Sequence, residues 1–148
     1  MTIPIDFTPM SGTDDIPVPR YQSSGASGLD LHAAVTGPVS IGAGEFTLIP
    51  CGFSIAIPPG YEGQVRPRSG LAARHGVTVL NTPGTVDADY RGEIKVVLIN
   101  HGRQPFVVER GARIAQLVVC AVAKASLRVV GALPETVRGG SGFGHTGA

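Results

Sequence analysis

The sequence predicts an all-β fold of the jelly-roll kind, a β-barrel with room for one short helix. Short β-branched runs recur along the chain, and most of them end at a glycine, proline or asparagine, which is typical of antiparallel strands joined by tight turns. The 148 residues include 21 glycines and 12 prolines, so turns should be frequent and long helices rare. A hydrophobic fraction of 43% suffices for a buried core, and the length suits one domain.

Six runs are typical of strands. In chain order they are FTLIPCGFSIAIP (46–58), VTVLN (77–81), EIKVVLIN (93–100), PFVVERG (105–111), IAQLVVCAV (114–122) and ASLRVVGAL (125–133). In the third run, Ile94 and Val96 alternate with Glu93 and Lys95, and the residues that follow are apolar until Asn100. This pattern indicates a strand that starts at a half-exposed edge and continues into a core.

One run, RSGLAARHGV (68–77), is typical of a helix. Leu71 and the three residues after it are good helix formers. Ser69 is expected to cap the first turn, and Gly76 is expected to end the helix. We therefore predict a helix of about two turns with Ser69 at its positive end.

The last twelve residues, 137–148, differ from the rest of the chain. They include five glycines and one large apolar residue, Phe143, so they can contribute little to a core. We predict a barrel domain over residues 1–136 and a mobile, glycine-rich arm over residues 137–148. Three of the glycines match GxGxxG by letter, but that motif marks a dinucleotide site only between a strand and a helix.

Composition excludes several classes of partner. The formal net charge is +1, with acids and bases interspersed, so we expect no nucleic-acid polymer and no membrane as a partner. The start of the chain lacks the pattern of a secretory signal, and no apolar run is long enough to cross a bilayer. Cys51 and Cys120 lie in apolar runs, which favours buried free thiols, with a disulfide or metal site as the alternative. A cytoplasmic protein is the expectation.

Five clusters of glycine and polar residues remain. They are ASGLDLHA (26–33), RPRSGLA (66–72), NTPGTVDADYRG (81–92), RIAQL (113–117) and RGGSGFGHTG (138–147). Singly, each has a structural explanation: Asp30 can cap a turn, Arg68 can be a solvated charge, and Gln116 can be a satisfied strand amide. Five clusters in one chain favour a binding site instead, and RPRSGLA could hold an anion with its arginine, its hydroxyl and backbone N–H groups.

In this order, the five clusters resemble the five motifs of the trimeric dUTPases, over residues 25–147. The resemblance implies a jelly-roll homotrimer with active sites at the subunit interfaces. It implies hydrolysis of dUTP to dUMP and pyrophosphate by attack at the α-phosphorus. This reaction would keep uracil out of DNA and supply dUMP for thymidylate synthesis. The resemblance also implies Mg²⁺, which would share the charge of the triphosphate.

The resemblance assigns three catalytic roles. Asp87 would bond the 3′-hydroxyl and hold or deprotonate the attacking water. Ser69 would touch the α–β bridging region, and Gln116 would orient the α-phosphate or the water. Asp89 points the other way along the strand and is expected to be structural.

The resemblance also places a set of residues against the substrate. They are Arg68, Ser69, Gly70, Asn81, Gly84, Thr85, Val86, Asp87, Tyr90, Lys95, Gln116, Arg138, Phe143, Gly144, His145 and Thr146. Residues 82–90 would form a tight hairpin that hydrogen-bonds the uracil edge, and Tyr90 would lie against the deoxyribose. Arg138 would pair with the distal phosphates as the arm closes, and Phe143 would stack on the uracil.

Two alternatives remain open for the function and two for Asp30. A related dCTP deaminase would share the barrel, although this chain has no tryptophan where that family carries one. A catalytically silent trimeric barrel would need neither Asp87 nor the arm. Asp30 would contact the metal through a water, or would serve a structural role in a turn or at the threefold centre.

Overall fold

The computed structural model describes residues 2–142. In this range the chain forms eleven strands and one helix. They are β1 (Asp6–Pro9), β2 (Leu29–His32), β3 (Val39–Ile41), β4 (Phe46–Pro50), β5 (Phe53–Ala56), β6 (Tyr61–Arg66), α1 (Ser69–His75), β7 (Val77–Val79), β8 (Gly84–Val86), β9 (Lys95–Asn100), β10 (Phe106–Val108) and β11 (Arg113–Ala121). The predicted all-β class with one short helix is confirmed.

The strands form four hydrogen-bonded sheets, and every pair in the described range is antiparallel. The largest sheet has the order β2-β11-β6-β8, and a second has the order β4-β9-β7. The remaining strands pair as β1 with β5 and β3 with β10. Within residues 2–142, backbone hydrogen bonds therefore do not run around a closed ring, although the sheets enclose one core.

The core fills the space between the sheets. Its largest fully buried side chains include Leu31, Ile49, Val96, Leu98 and Ile114, which come from both main sheets. β9 shows the predicted pattern, because Lys95 is exposed and the strand is buried continuously from residue 98 to residue 100. Alternate side chains thus point into the core until the strand itself lies inside it.

Five of the six predicted strand runs are confirmed. The first of them is divided into β4 and β5 by a turn at Gly52, whose φ of 75° suits glycine. The sixth run, residues 125–133, forms no strand, and this prediction was wrong. Leu127 is 95% exposed and Val129 is 99% exposed. Valines in this run have strand propensity, but the run pairs with no strand in residues 2–142, and propensity alone does not make a strand.

The helix begins at Ser69, the residue that was predicted to be its cap. Arg68 occupies the N-cap position without a side-chain hydrogen bond, and Ser69 is the first helical residue. The prediction that Ser69 caps the helix was wrong, because its backbone is already helical and the N-cap position belongs to Arg68. Gly76 does end the helix, in a left-handed conformation with φ of 67°. This seven-residue element is the only helix in residues 2–142, and no helix there is long and apolar enough to cross a membrane.

Both cysteines are free thiols, as expected. Cys51 is buried in the core, and Cys120 on β11 is half-buried. Burial raises the pKa of the Cys51 thiol to about 12, and the nearby Glu93 carboxylate adds to this effect. The thiol of Cys51 is therefore protonated at neutral pH.

Candidate functional site

The NTPGTVDADYRG segment lies at the edge of the largest sheet. Its strand β8 pairs with β6, with Gly84 opposite Val65 and Val86 opposite Gly63. The expectation of a hairpin within residues 82–90 was wrong. In the described residues, β8 forms its ladder with β6, which lies earlier in the chain, and not with a second strand inside the segment. Gly84 is buried, and a side chain there would begin 3.3 Å from Cβ of Val65, so glycine lets the two strands pack closely.

A pocket of about 260 Å³ opens beside β8. We call it the β8 pocket; its lining is Leu48, Thr85, Val86, Asp87, Tyr90, Glu93, Ile94 and Lys95. Five of these residues were expected at the substrate from the sequence, and the fold brings them together. Leu48, Glu93 and Ile94 were not expected there. Leu48 comes from β4, and strand pairing places it opposite Val97, two residues along β9 from Lys95.

Glu93 connects two walls of the β8 pocket. The Tyr90 hydroxyl donates to the backbone carbonyl of Glu93 at 2.9 Å. The Glu93 carboxylate accepts the N–H of Gly52 at 3.0 Å and lies 3.7 Å from Nζ of Lys95. The ring of Tyr90 and the ammonium group of Lys95 are thus both tied to one residue.

A second group of polar residues lies at the far end of β6 and β11. We call Asp30, Arg68, Arg113 and Gln116 the arginine cluster. The Asp30 carboxylate lies 3.4 Å from Nε of Arg68 and accepts a hydrogen bond from Arg113 at 3.2 Å. Two guanidinium groups share one carboxylate, so the cluster has an excess positive charge that favours an anion.

Backbone and glycine contacts hold the rest of the cluster. Gln116 donates through Nε2 to the carbonyl of Pro67 at 3.0 Å. A Cβ at Gly28 would lie 3.0 Å from Cδ of Gln116, so the missing side chain of Gly28 leaves room for the amide. Ser69 and Gly70 follow Arg68 in the first turn of α1. Arg68, Ser69, Gly70 and Gln116, four of the residues predicted to bind phosphate, therefore lie close together in the fold.

His32 was missed by the sequence prediction. It lies opposite Arg113 in the β2–β11 pairing, is 8% exposed, and its Nδ1 has no hydrogen-bond partner in the described structure. Burial lowers the pKa of His32; the Asp30 carboxylate opposes this effect, and the nearby arginines add to it. The neutral imidazole is therefore favoured beside the cluster.

The β8 pocket and the arginine cluster lie at opposite ends of β6. Asp87 follows Val86, whose partner is Gly63, so Asp87 is adjacent to Glu62. Gln116 pairs with Arg66. At about 3.3 Å per residue, the four steps from Glu62 to Arg66 separate Asp87 from Gln116 by about 13 Å. Within one chain, the backbones of these two residues are thus well separated, and the Gln116 amide is bonded to the Pro67 carbonyl.

Asp87 also borders a second hollow of about 400 Å³. Glu62, Asp89 and Lys124 line this hollow as well. Despite these acids, no group of three histidine, cysteine or acidic side chains in residues 2–142 could hold a metal ion. Any metal here would need most of its ligands from elsewhere.

The arm is described only in part. Arg138 is exposed and donates through Nε to the carbonyl of Ser141 at 2.9 Å. Phe143, Gly144, His145 and Thr146 lie outside the described residues, so their predicted roles stay predictions. The predicted boundary at residue 136 stays a prediction too, although β11 already ends at Ala121 and most residues beyond it are exposed.

Comparisons with known proteins agree on one family. The model of the dUTPase family matches residues 14–147. The deoxyuridine 5′-triphosphate nucleotidohydrolase of Maricaulis maris (strain MCS10) is 53% identical over 148 residues, which cover 99% of this chain and 97% of that protein. Among solved structures, the dUTPase of Staphylococcus bacteriophage 80alpha with dUPNHPP has a TM-score of 0.89 at 23% identity and covers 99% of this chain and 100% of that one. A mutant dUTPase from phage phi11 of S. aureus, described with a structural Mg(II) ion, has a TM-score of 0.79 at 19% identity over 89% of this chain and 99% of that one.

Proposed function

The chain belongs to the dUTPase family and is an enzyme that hydrolyses dUTP; from this premise we propose that its active site combines the β8 pocket of one copy with the arginine cluster of another. The single observation that carries this proposal is the separation of about 13 Å along β6. Asp87, Gln116 and Ser69 must all reach the α-phosphate region if they have their predicted roles. A neighbouring copy can supply Gln116 and Ser69 to the pocket that contains Asp87.

Exposed apolar side chains support an assembly of copies. Phe46, Leu48 and Leu80 are 63%, 53% and 45% exposed. The β4-β9-β7 sheet brings them together on its outer side, close to the β8 pocket. Large exposed apolar groups of this kind mark protein–protein interfaces. We propose the homotrimer of the family, with three such sites and an arm from residues 137–148 closing over each.

The β8 pocket suits a deoxyuridine. Thr85 and Val86 belong to an edge strand, so their backbone groups can hydrogen-bond the edge of a uracil as a further strand would. The exposed ring of Tyr90 offers a flat apolar surface for the deoxyribose, where an added 2′-hydroxyl would find no polar partner. A mismatch of this kind leaves buried polar groups unpaired, which strongly disfavours the wrong substrate.

Asp87 is the proposed base. Its carboxylate is exposed, borders the β8 pocket, and would accept a proton from a water molecule whose oxygen attacks the α-phosphorus. The bond from the α-phosphorus to the bridging oxygen then breaks, so the products are dUMP and pyrophosphate. The arginine cluster, with Ser69, would stabilise the charge that develops on the leaving pyrophosphate.

The residues fit a divalent metal that the substrate brings with it. Both oxygens of the Asp30 carboxylate face arginine side chains, so Asp30 is poorly placed as a direct ligand, and contact through a water remains a proposal. A metal would then be held mainly by phosphate oxygens, and we propose Mg²⁺. When bound, it would share the charge of the triphosphate. The two free cysteines fit our further proposal of a cytoplasmic location, where thiols stay reduced.

A comparison of four nucleotides as substrates tests this function. Pyrophosphate release should be measured with dUTP, UTP, dCTP and dTTP at equal concentrations of enzyme and Mg²⁺. We expect kcat/KM for dUTP to exceed the other three by about a hundredfold or more. Similar rates with dUTP and UTP would contradict the proposed role of Tyr90, and conversion of dCTP to a deaminated product would contradict the proposed reaction.

A further inference from the structure

Gly92 lies against the hydroxyl end of the Tyr90 ring. A Cβ built on Gly92 would lie 2.6 Å from Cζ and 2.9 Å from Cε2 of Tyr90. These atoms belong to a rigid ring, which cannot bend away as a long flexible side chain could. The φ angle of Gly92 is outside the left-handed region, so the backbone would accept another residue. The contact with Tyr90 is what requires glycine here.

The same side chain is also held by hydrogen bonds. The Tyr90 hydroxyl donates to the Glu93 carbonyl at 2.9 Å, and the Tyr90 N–H donates to the Asp87 carbonyl at 3.1 Å. Arg91 closes the loop by donating to the carbonyls of Ala88 and Tyr90 at 2.7 and 2.8 Å. The loop is therefore ordered around one position of the ring, with Gly92 against one part of it and the β8 pocket beside it.

We propose that Gly92 is a positioning residue for sugar selectivity, because its missing side chain lets the Tyr90 ring lie where it excludes a 2′-hydroxyl. This inference rests on the proposed function, in which Tyr90 contacts the deoxyribose. A methyl group at position 92 must displace the ring. The methyl group would overlap the hydroxyl end of the ring, so the ring leaves the position in which its hydroxyl bonds the Glu93 carbonyl.

The test is a double-mutant cycle on selectivity, defined as kcat/KM for dUTP divided by kcat/KM for UTP. Gly92→Ala should lower selectivity by about tenfold or more. Tyr90→Ala should lower it at least as much, and adding Gly92→Ala to Tyr90→Ala should change it by less than about twofold, since the two act through one ring. Gly37→Ala is the matched control. Its Cβ would have no neighbour within 4 Å, so its selectivity should equal that of the wild type.

Folding of each variant is checked by thermal unfolding and by elution volume. Tyr90→Phe gives a second route that leaves Gly92 untouched, because it removes the hydroxyl that Glu93 holds; its selectivity should lie between those of the wild type and Gly92→Ala. Wild-type selectivity in Gly92→Ala would overturn the inference, as would an equal loss in the Tyr90→Ala background. Failure of the wild type itself to prefer dUTP is a separate result that would overturn the proposed function.

Discussion

The carboxylate of Asp87 is exposed at the end of β8 and is not part of the core. We therefore expect Asp87→Ala to leave the thermal unfolding temperature unchanged while lowering turnover of dUTP by about a hundredfold or more, the range for loss of a general base. Pyrophosphate release and calorimetry measure the two effects. Asp89→Ala is the matched control, since Asp89 lines the 400 Å³ hollow without lining the β8 pocket. Turnover within threefold of wild type would remove Asp87 from its proposed role.

The two thiols should differ in reactivity. The pKa of Cys51 is raised to about 12 by burial, so near pH 8 it carries almost no thiolate, which is the reactive form. Cys120 is half-buried, and its Sγ lies 3.8 Å from Nη2 of Arg66. We expect a thiol reagent to modify Cys120 first, with Cys51 reacting only after unfolding. Mass spectrometry of peptides from partially modified protein identifies the site, and early modification of Cys51 would contradict the buried, protonated thiol.

The sequence alone predicts those site residues whose immediate neighbours in the chain already indicate a site. Asp87 and Tyr90 follow a turn and precede a strand, and a dense run of polar residues at such a place indicates a site. Glu93 was taken for the polar face of a strand, because nothing near it in sequence shows that it holds Tyr90. His32 was missed for the same reason. Its place beside the arginine cluster, with Nδ1 unpaired, follows from its pairing with Arg113, about 80 positions away in the chain.

Asn100 at the end of β9 links three elements from a fully buried position. Its Nδ2 donates to the carbonyls of Ile41 and Gln104 at 2.9 and 2.8 Å, and its Oδ1 accepts the N–H of Gly102 at 2.8 Å. Asn100→Ala should lower the free energy of unfolding by about 2–4 kcal/mol, because three hydrogen bonds are lost and buried partners remain. Urea denaturation measures the change. Gln104→Ala removes an exposed amide and keeps the backbone carbonyl, so a comparable loss in that control would contradict the role of Asn100.

Among the elements, the strands that the sequence predicts correctly are those with runs of β-branched residues that are buried in the core. β1, β2, β3 and β6 were not predicted as strands because they are short or contain polar residues, glycine or proline, and only their pairing partners make them strands. β8 was expected only as part of a hairpin. The failed run at residues 125–133 is the opposite case. Val129 and Val130 favour a strand, but a strand also needs an edge, and sequence alone does not say whether one is free.

A shared active site can be tested at the scale of the whole molecule by mixing two inactive variants. Asp87→Ala retains the arginine cluster, and Arg68→Ala retains the β8 pocket. When the two are co-expressed with different tags and purified on both, about a third of the sites should be restored, since every mixed trimer brings one intact β8 pocket together with one intact arginine cluster. Each variant purified alone is the control. Mixed assemblies as inactive as their parents would show that one chain holds a complete site.

Motifs that resemble those of a known family predict which residues form the site. Residue spacing alone does not show that these residues fall into two separate groups, the β8 pocket and the arginine cluster. Nothing in the spacing of Asp87 and Gln116 reveals that β6 lies between them. That separation follows from strand register, which depends on long-range pairing. The distance between the two groups within one chain is therefore a property of the fold, and composition or local pattern alone does not reveal it.

Because the two parts of the proposed site lie at opposite ends of β6, the activity of the enzyme should depend on its concentration. A catalyst that is complete in one chain keeps the same specific activity at any concentration, whereas one that needs neighbours loses it once subunits separate. For this protein, specific activity should fall steeply below the dissociation constant of the assembly, and dUTP should delay that fall by bridging two subunits.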